Sequence, residues 1–327
     1  MSPYSNPPIW ISEKRHGLPF SKGLLARSFT ATGLPPARAY AVAQAVQDHL
    51  RERGVTQITT GKLRRLSMEM LTEVAGEEYA ERYERLQELG KVDKPLVVLI
   101  GGTTGVGKST IATEIAHRLG ITRFVSTDSI REVMRGIFSR DLLPAIYESS
   151  FDAYKALRVP VPEGADPVIV GFREQTAAVS TGVERLIRRT IHEGVSMVIE
   201  GVHLVPGYID PSSFEDAWVV PLVITVDDEE SHRSHFYIRE VQTDGTRPFE
   251  RYRTHFDNIR KLGHYIEDLA ERHGIPVIHS HQLDRTVAET LEVVVNTVLE
   301  AEGLPKVSVK PDIPPKDEDP GEAPGDA

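Results

Sequence analysis

The chain has 327 residues, a formal net charge of −10, 40% hydrophobic residues and no cysteine. That length suits two ordinary domains. The acidic balance disfavours a general nucleic-acid or membrane surface, since both partners are anionic and would be repelled, and the missing cysteines exclude disulfides and thiolate metal sites.

Met1 to Trp10 has no basic segment followed by an apolar run, and no stretch approaches the ~18 apolar residues of a membrane span. A cytoplasmic protein is expected. The first zone, residues 1–90, carries apolar residues at three- and four-residue spacing over Ala37 to Arg53 and over Ser67 to Leu89. That spacing predicts helices. Val55 to Thr60 lies between them and offers a threonine N-cap for the next helix. Lys91 to Pro95 reads as a linker.

The second zone, 95–302, opens on Leu96 to Ile100, a continuous apolar run rich in β-branched residues. A parallel strand buried on both faces has this composition. A helix is predicted from Gly107 to Leu119, a strand over Arg123 to Thr127, and a helix beginning near Ser129. Further helices are predicted over Ala145 to Leu157 and Arg173 to Glu193. Strands follow at Ser196 to Glu200, Trp218 to Val226 and Pro276 to Ser280, and Thr286 to Glu302 closes the zone as a helix. Strands alternating with helices predict an α/β fold with a five-stranded parallel sheet flanked by helices. The third zone, 305–327, is acidic and proline-rich and lacks the apolar side chains that offset chain entropy. Disorder is expected there.

The first strand runs directly into Gly102-Thr103-Thr104-Gly105-Val106-Gly107-Lys108-Ser109-Thr110. Glycines at both ends of the G-x-x-x-x-G-K-S pattern let the backbone curl until successive N–H groups face one centre, and the helix that follows adds partial positive charge at its N-terminus. The strand before and the helix after are the context that makes this pattern a phosphate loop for ATP or GTP. Lys108 reaches the β- and γ-phosphates, and Ser109 is placed to ligate Mg²⁺.

Asp128 falls at the carboxyl end of the second strand, the edge where open α/β sheets bind ligands. It serves either an acceptor hydroxyl or the N-cap of the next helix. Arg131 and Arg135 lie about one turn apart, a spacing that lets them share a face and hold an anion or pair with surface carboxylates. Glu200 ends an apolar strand in the manner of a Walker B acid, suited to Mg²⁺ through water or to substrate. His203 either binds the acceptor or satisfies a loop. Beyond the fourth strand, Arg233 and Arg239 sit in a charged helix that is a candidate lid, with Arg247, Arg251 and Arg253 behind them. A lid arginine stabilises charge developing on a transferring phosphoryl group. His232 and His235 have i,i+3 spacing but no hydrolase metal pattern around them.

The loop together with Ser126-Thr127-Asp128-Ser129-Ile130-Arg131-Glu132-Val133-Met134-Arg135, Gly171-Phe172-Arg173-Glu174-Gln175 and Ile199-Glu200-Gly201-Val202-His203-Leu204-Val205-Pro206 resembles the 2-phosphoglycerate kinase family over roughly Pro95 to Glu302. The resemblance implies a P-loop kinase fold, ATP and Mg²⁺ as cofactors, and transfer of the γ-phosphoryl to the hydroxyl of 2-phosphoglycerate. It places Asp128, Arg131, Arg173, Glu200 and His203 around the substrate. Residues 1–90 resemble, more weakly, an ATP-cone regulatory domain, through Ile11-Ser12-Glu13-Lys14-Arg15-His16-Gly17, Phe20-Ser21-Lys22 and Glu77-Glu78-Tyr79-Ala80-Glu81-Arg82-Tyr83. That likeness implies a second adenine nucleotide. A nucleotide-sensing regulatory protein is the alternative from another class, and an RNA-directed kinase a third, which the net charge opposes. The arginines announce an anion without saying which, and the oligomeric state is not written in the sequence.

Overall fold

The computed structural model describes residues 9–12, 17–89, 94–242, 249–306 and 308. The tail expected to be disordered lies almost wholly outside them, as do Lys14 and Arg15.

The N-terminal residues form β1 (Trp10–Ser12), β2 (Gly17–Pro19), α1 (Lys22–Thr30), α2 (Pro36–Glu52), β3 (Gln57–Thr59), α3 (Thr60–Val74) and α4 (Glu77–Leu89). The middle strand β1 pairs antiparallel with β2 and parallel with β3. Thr59 caps α3 as expected, accepting from the Lys62 amide at 3.3 Å. The single helix expected over Ser67 to Leu89 is two helices. Gly76 takes φ +117°, and its amide bonds the Leu71 carbonyl at 2.9 Å, which ends α3. Glycine reaches that conformation without the Cβ penalty other residues meet. The break folds α4 back so that Tyr79 and Tyr83 are buried, Tyr83 edge-on to Phe29 at 5.3 Å.

The second region contains β4 (Leu96–Gly101), α5 (Lys108–Arg118), β5 (Arg123–Ser126), α6 (Thr127–Ile137), two 3-10 segments (Pro144–Tyr147 and Ser150–Ala156), α7 (Pro167–His192) and β6 (Met197–Glu200). After a further 3-10 turn at Pro211–Ser213 come β7 (Trp218–Thr225), α8 (Glu229–Gln242), α9 (Phe249–Thr254), α10 (Phe256–Arg272), β8 (Val277–His279) and α11 (Leu283–Ala301). The sheet order is β5-β6-β4-β7-β8, and every pairing is parallel. This is the P-loop kinase fold.

Alternation along β4 shows why its sequence is continuously apolar. Val98 and Ile100 pack on one face with Ile111, Ile115 and Leu291 of α5 and α11. Val97 and Leu99 pack on the other with Val179, Val183 and Ile187 of α7. Both faces are covered by helices, so no position in the strand tolerates a polar side chain. Because all five strands are parallel, Gly101, Ser126, Glu200, Thr225 and His279 share one edge, from which the phosphate loop, Asp128 and Glu200 are displayed.

The α-helix expected over Ala145 to Leu157 is replaced by the two 3-10 segments. The carbonyls that an α-turn would use are taken by side chains. Arg135 Nε donates to the Ile146 carbonyl at 2.8 Å and Nη2 to Tyr147 at 2.6 Å, while Gln175 Nε2 donates to Ala145 at 2.5 Å and to Glu148 at 3.0 Å. The segment is thereby pinned between α6 and α7. Gly171 makes the α7 contact close: a Cβ there would lie 2.3 Å from the Tyr154 backbone nitrogen.

The N-terminal region touches the second at α5 and α11. Arg27 Nε donates to the His117 carbonyl at 3.3 Å, in the last turn of α5, and Leu86 packs against the core beneath α11. Among the described residues, no helix is long and apolar enough to cross a membrane. The Gly171 contact yields the first prediction. Gly171→Ala should destabilise the fold by about 1–3 kcal/mol through overpacking, despite the better helix propensity of alanine. A thermal melt that rises or stays unchanged would contradict the contact.

Candidate active site

β4 ends against two close approaches that only glycine permits. A Cβ on Gly102, at φ +129°, would fall 2.2 Å from the Ile224 carbonyl oxygen, and one on Gly105, at φ +90°, would fall 2.4 Å from the Phe236 ring. Gly107, also left-handed at φ +89°, stands at the N-cap of α5 without a side-chain cap. The N–H groups of the first turn are therefore left for an anion. Lys108 is buried, and its Nζ donates to the Thr103 carbonyl at 2.6 Å across the loop. Burial pushes the ammonium's pKa down, and the charges of Glu200 and Asp128 oppose that shift. Thr103 Oγ1 donates to the Ile259 carbonyl at 3.0 Å, tying the loop to α10.

The loop carbonyls are held from outside by α8. His232 Nε2 donates to Thr104 O at 2.8 Å, and His235 Nδ1 donates to Gly105 O at 2.9 Å. His232 stacks on Phe236, with ring centroids 5.3 Å apart. The Thr104 and Gly105 carbonyls are thus held on the α8 side of the loop, which favours turning the adjoining amides towards an anion. The i,i+3 pair grips the loop. Among the described residues, no group of three or more His, Asp or Glu side chains is arranged to hold a metal ion.

Glu200 ends β6 with its carboxylate almost buried and accepts from Ser109 Oγ at 3.0 Å. These are two hard oxygen donors at the mouth of the loop. They suit Mg²⁺ bound chiefly through phosphate oxygens and water, not in a dedicated protein cage.

α6 is capped by Ser126, whose Oγ accepts from the Ser129 amide at 3.1 Å. The capping role weighed for Asp128 therefore belongs to its neighbour. Asp128 sits in the first helical turn, mostly exposed, with Oδ1 3.2 Å from Arg131 Nη2. Arg131 also donates through Nη1 to the Glu148 carbonyl, and its Nε is buried with no hydrogen-bond partner among the described residues.

Among similar proteins, the 2-phosphoglycerate kinase of Methanothermobacter thermautotrophicus is 44% identical over 289 residues, covering 88% of this chain and 94% of that protein. The enzyme of the same name from Methanopyrus kandleri is 40% identical over 294 residues, covering 90% and 89%. That from Methanocaldococcus jannaschii is 42% identical over 299 residues, covering 90% and 95%. The chain belongs to the 2-phosphoglycerate kinase family. No family model matches it. Among solved structures, a shikimate kinase from Acinetobacter baumannii aligns with 65% of this chain and 98% of its own, at 16% identity and a TM-score of 0.39.

Several residues expected around a 2-phosphoglycerate kinase substrate lie elsewhere. His203 is wholly buried, with Nδ1 2.9 Å from Thr127 Oγ1 and Nε2 3.0 Å from Gln175 Oε1. Both nitrogens are engaged inside the wall, so it presents nothing to an acceptor. Arg173 is exposed on α7 and hydrogen-bonds the Tyr208 hydroxyl beside Tyr265. Arg135 is occupied by the Ile146 and Tyr147 carbonyls and by Glu132. Arg233 lies over the Phe256 ring at 3.7 Å, with Glu229 3.9 Å away. The Arg239 side chain and Arg247 fall outside the described residues. Arg251 reaches Ser149 Oγ at 2.6 Å, joining α9 to the 3-10 segments.

Sequence reasoning passed over Gln175 and Thr127. A signal for Gln175 was present: Phe172, Gln175, Thr176, Val179 and Val183 fall on one buried stripe of α7, and Arg173 does not. A large polar residue in such a stripe needs partners.

The buried histidines set a pH limit. Burial lowers His232 from 6.5 to about 4, with Arg260, His235 and Lys108 adding to the shift and the Thr104 carbonyl opposing it. The unfolded chain then takes up the proton first, so stability is highest above pH 6.5 and falls as pH drops from 6.5 towards 4. At ~1.4 kcal/mol per unit this contributes up to about 3 kcal/mol. His203, lowered to about 3 mainly by burial, adds to the same slope. His232→Gln should flatten the dependence of the urea midpoint on pH between 6.5 and 4. An unchanged slope would mean that His232 does not stay neutral in the fold.

Proposed function

We propose that this chain transfers the γ-phosphoryl of ATP to the 3-hydroxyl of 2-phosphoglycerate, giving 2,3-bisphosphoglycerate and ADP, in the cytoplasm. The observation that carries this is that two charged sets stand at one edge of the sheet. The loop and Lys108 receive polyphosphate, while the Asp128–Arg131 pair stands on the same sheet edge, near enough for the Asp128 charge to act on the Lys108 ammonium. Membership of the 2-phosphoglycerate kinase family supports the choice of acceptor.

In this reading the amides of Gly102, Thr103, Thr104, Gly105, Val106 and Gly107, with the first turn at Ser109 and Thr110, hold the β- and γ-phosphates. Mg²⁺, when bound beside Ser109 and Glu200, neutralises charge on those oxygens. Lys108 neutralises the rest. Asp128 orients the acceptor hydroxyl and takes up its proton as the oxygen attacks the γ-phosphorus and the bond to the β-phosphate oxygen breaks. Arg131 holds the acceptor's carboxylate or phosphate by charge-assisted bonds. Arg239 is assigned to the lid; Arg233 would have to leave the Phe256 ring to join it. Positioning and electrostatics supply the rate, with water kept from the γ-phosphate.

We also assign residues 1–90, 95–302 and 305–327 to a regulatory unit, the kinase unit and a tail. The first binds a second adenine nucleotide, in keeping with its ATP-cone likeness and its separate core.

The test is ADP release from purified protein with ATP, Mg²⁺ and a panel of phosphorylated acids, the product being identified by phosphorus NMR. Release stimulated by 2-phosphoglycerate is expected, and Lys108→Ala should lower it by on the order of 100-fold or more while leaving the thermal melt intact. Slow hydrolysis indifferent to every acceptor would point to a nucleotide sensor instead.

A further inference from the structure

A chain of buried polar groups runs behind the acceptor side of the site. Gln175 on α7, His203 after β6 and Thr127 at the start of α6 are all wholly buried, and they are linked end to end. One end of the chain decides its direction. Gln175 Nε2 faces the carbonyls of Ala145 at 2.5 Å and Glu148 at 3.0 Å. Two carbonyls demand a donor, so the amide nitrogen belongs there and Oε1 faces His203. His203 Nε2 must then carry its proton and donate to Oε1. A neutral imidazole has one donor and one acceptor, so Nδ1 accepts from the Thr127 hydroxyl. Every proton in the chain is therefore assigned, and Thr127 can only donate inward.

Each end of the chain adjoins one member of the acceptor pair, one through the backbone and one through a shared carbonyl. Thr127 immediately precedes Asp128. The Glu148 carbonyl that receives Gln175 also receives Arg131 Nη1. The contact at Thr127 is close: a Cβ on Gly201 would lie 1.9 Å from its Oγ1, so the turn after Glu200 is cut to admit this hydroxyl. Stability alone does not call for such an arrangement. A buried hydrogen bond contributes only about 1 kcal/mol net, and three apolar side chains would fill the volume without partners. What directed bonds supply is a fixed relative placement of α6, α7, the β6 turn and the 3-10 segment.

We propose that Thr127, His203 and Gln175 are positioning residues that set Asp128 and Arg131 relative to each other, and so fix where the acceptor's hydroxyl and anionic groups lie. None of the three touches substrate. The inference rests on the assignment of Asp128 and Arg131 to the acceptor. The hydrogen bonds given above for Thr127, His203 and Gln175 do not reach the phosphate loop, so their removal is expected to act on the acceptor far more than on ATP.

The experiment is steady-state kinetics with ATP and 2-phosphoglycerate on the full chain, with thermal melts for every variant. Thr127→Val keeps the shape and removes the hydroxyl. It should lower kcat/KM for 2-phosphoglycerate by on the order of 10- to 100-fold, with the KM for ATP within about twofold of wild type. Thr127→Ser restores the hydroxyl and should recover most of the loss. Gln175→Glu keeps the acceptor for His203 but sets a carboxylate against two carbonyls, and should show the same split between substrates. It carries the test if Thr127→Val does not fold. Wild-type kinetics in Thr127→Val or Gln175→Glu, or an equal rise in both KM values, would overturn the proposal. A wild-type chain that ignores 2-phosphoglycerate would instead remove the acceptor assignment, and the proposal with it.

Discussion

A buried ammonium must be surrounded by acceptors or it loses its proton, and much of this structure follows from meeting that demand at Lys108. Within the protein its Nζ reaches one carbonyl, Thr103 O at 2.6 Å, with the carboxylates of Glu200 and Asp128 acting on it through space. An anionic ligand completes the set. The loop curls around the place where such a ligand sits, the parallel sheet brings Glu200 and Asp128 to the same edge, and α5 aims its free amides there.

The carbonyl side of the loop matters as much as the amide side. A peptide curled to present its N–H groups inward must present some C=O groups outward, and those need donors. The two histidines of α8 meet that need for Thr104 and Gly105. The helix expected to act as a lid is therefore also part of the wall that shapes the phosphate cradle. Arg233 of the same helix packs on the Phe256 ring near the Glu229 carboxylate.

Local chemistry made the phosphate loop, the five strands and the acid that ends β6 legible in the sequence. A strand buried on both faces has to be apolar throughout, and a phosphate loop has to carry its glycines. The 3-10 segment at Pro144–Tyr147 was not legible, because its conformation is imposed by Arg135 and Gln175, distant in sequence and adjacent in space. His203 shows the same limit. Val202-His203-Leu204 after an acid reads equally as a ligand or as wall, and only the fold places its ring between Thr127 and Gln175. Asp128 lost its capping role to Ser126 by two residues, less than sequence patterns resolve at helix ends.

In mechanical terms, α5 is a strut. It is 11 residues long, about 16 Å, and its inner face is locked by Ile111, Ala112 and Ile115. One end is the phosphate cradle. The other end, at the His117 carbonyl, takes the guanidinium of Arg27 from the N-terminal region. A beam fixed along its length transmits neither bend nor slide. The N-terminal region thus bears on the same rigid member that carries the phosphate cradle at its other end.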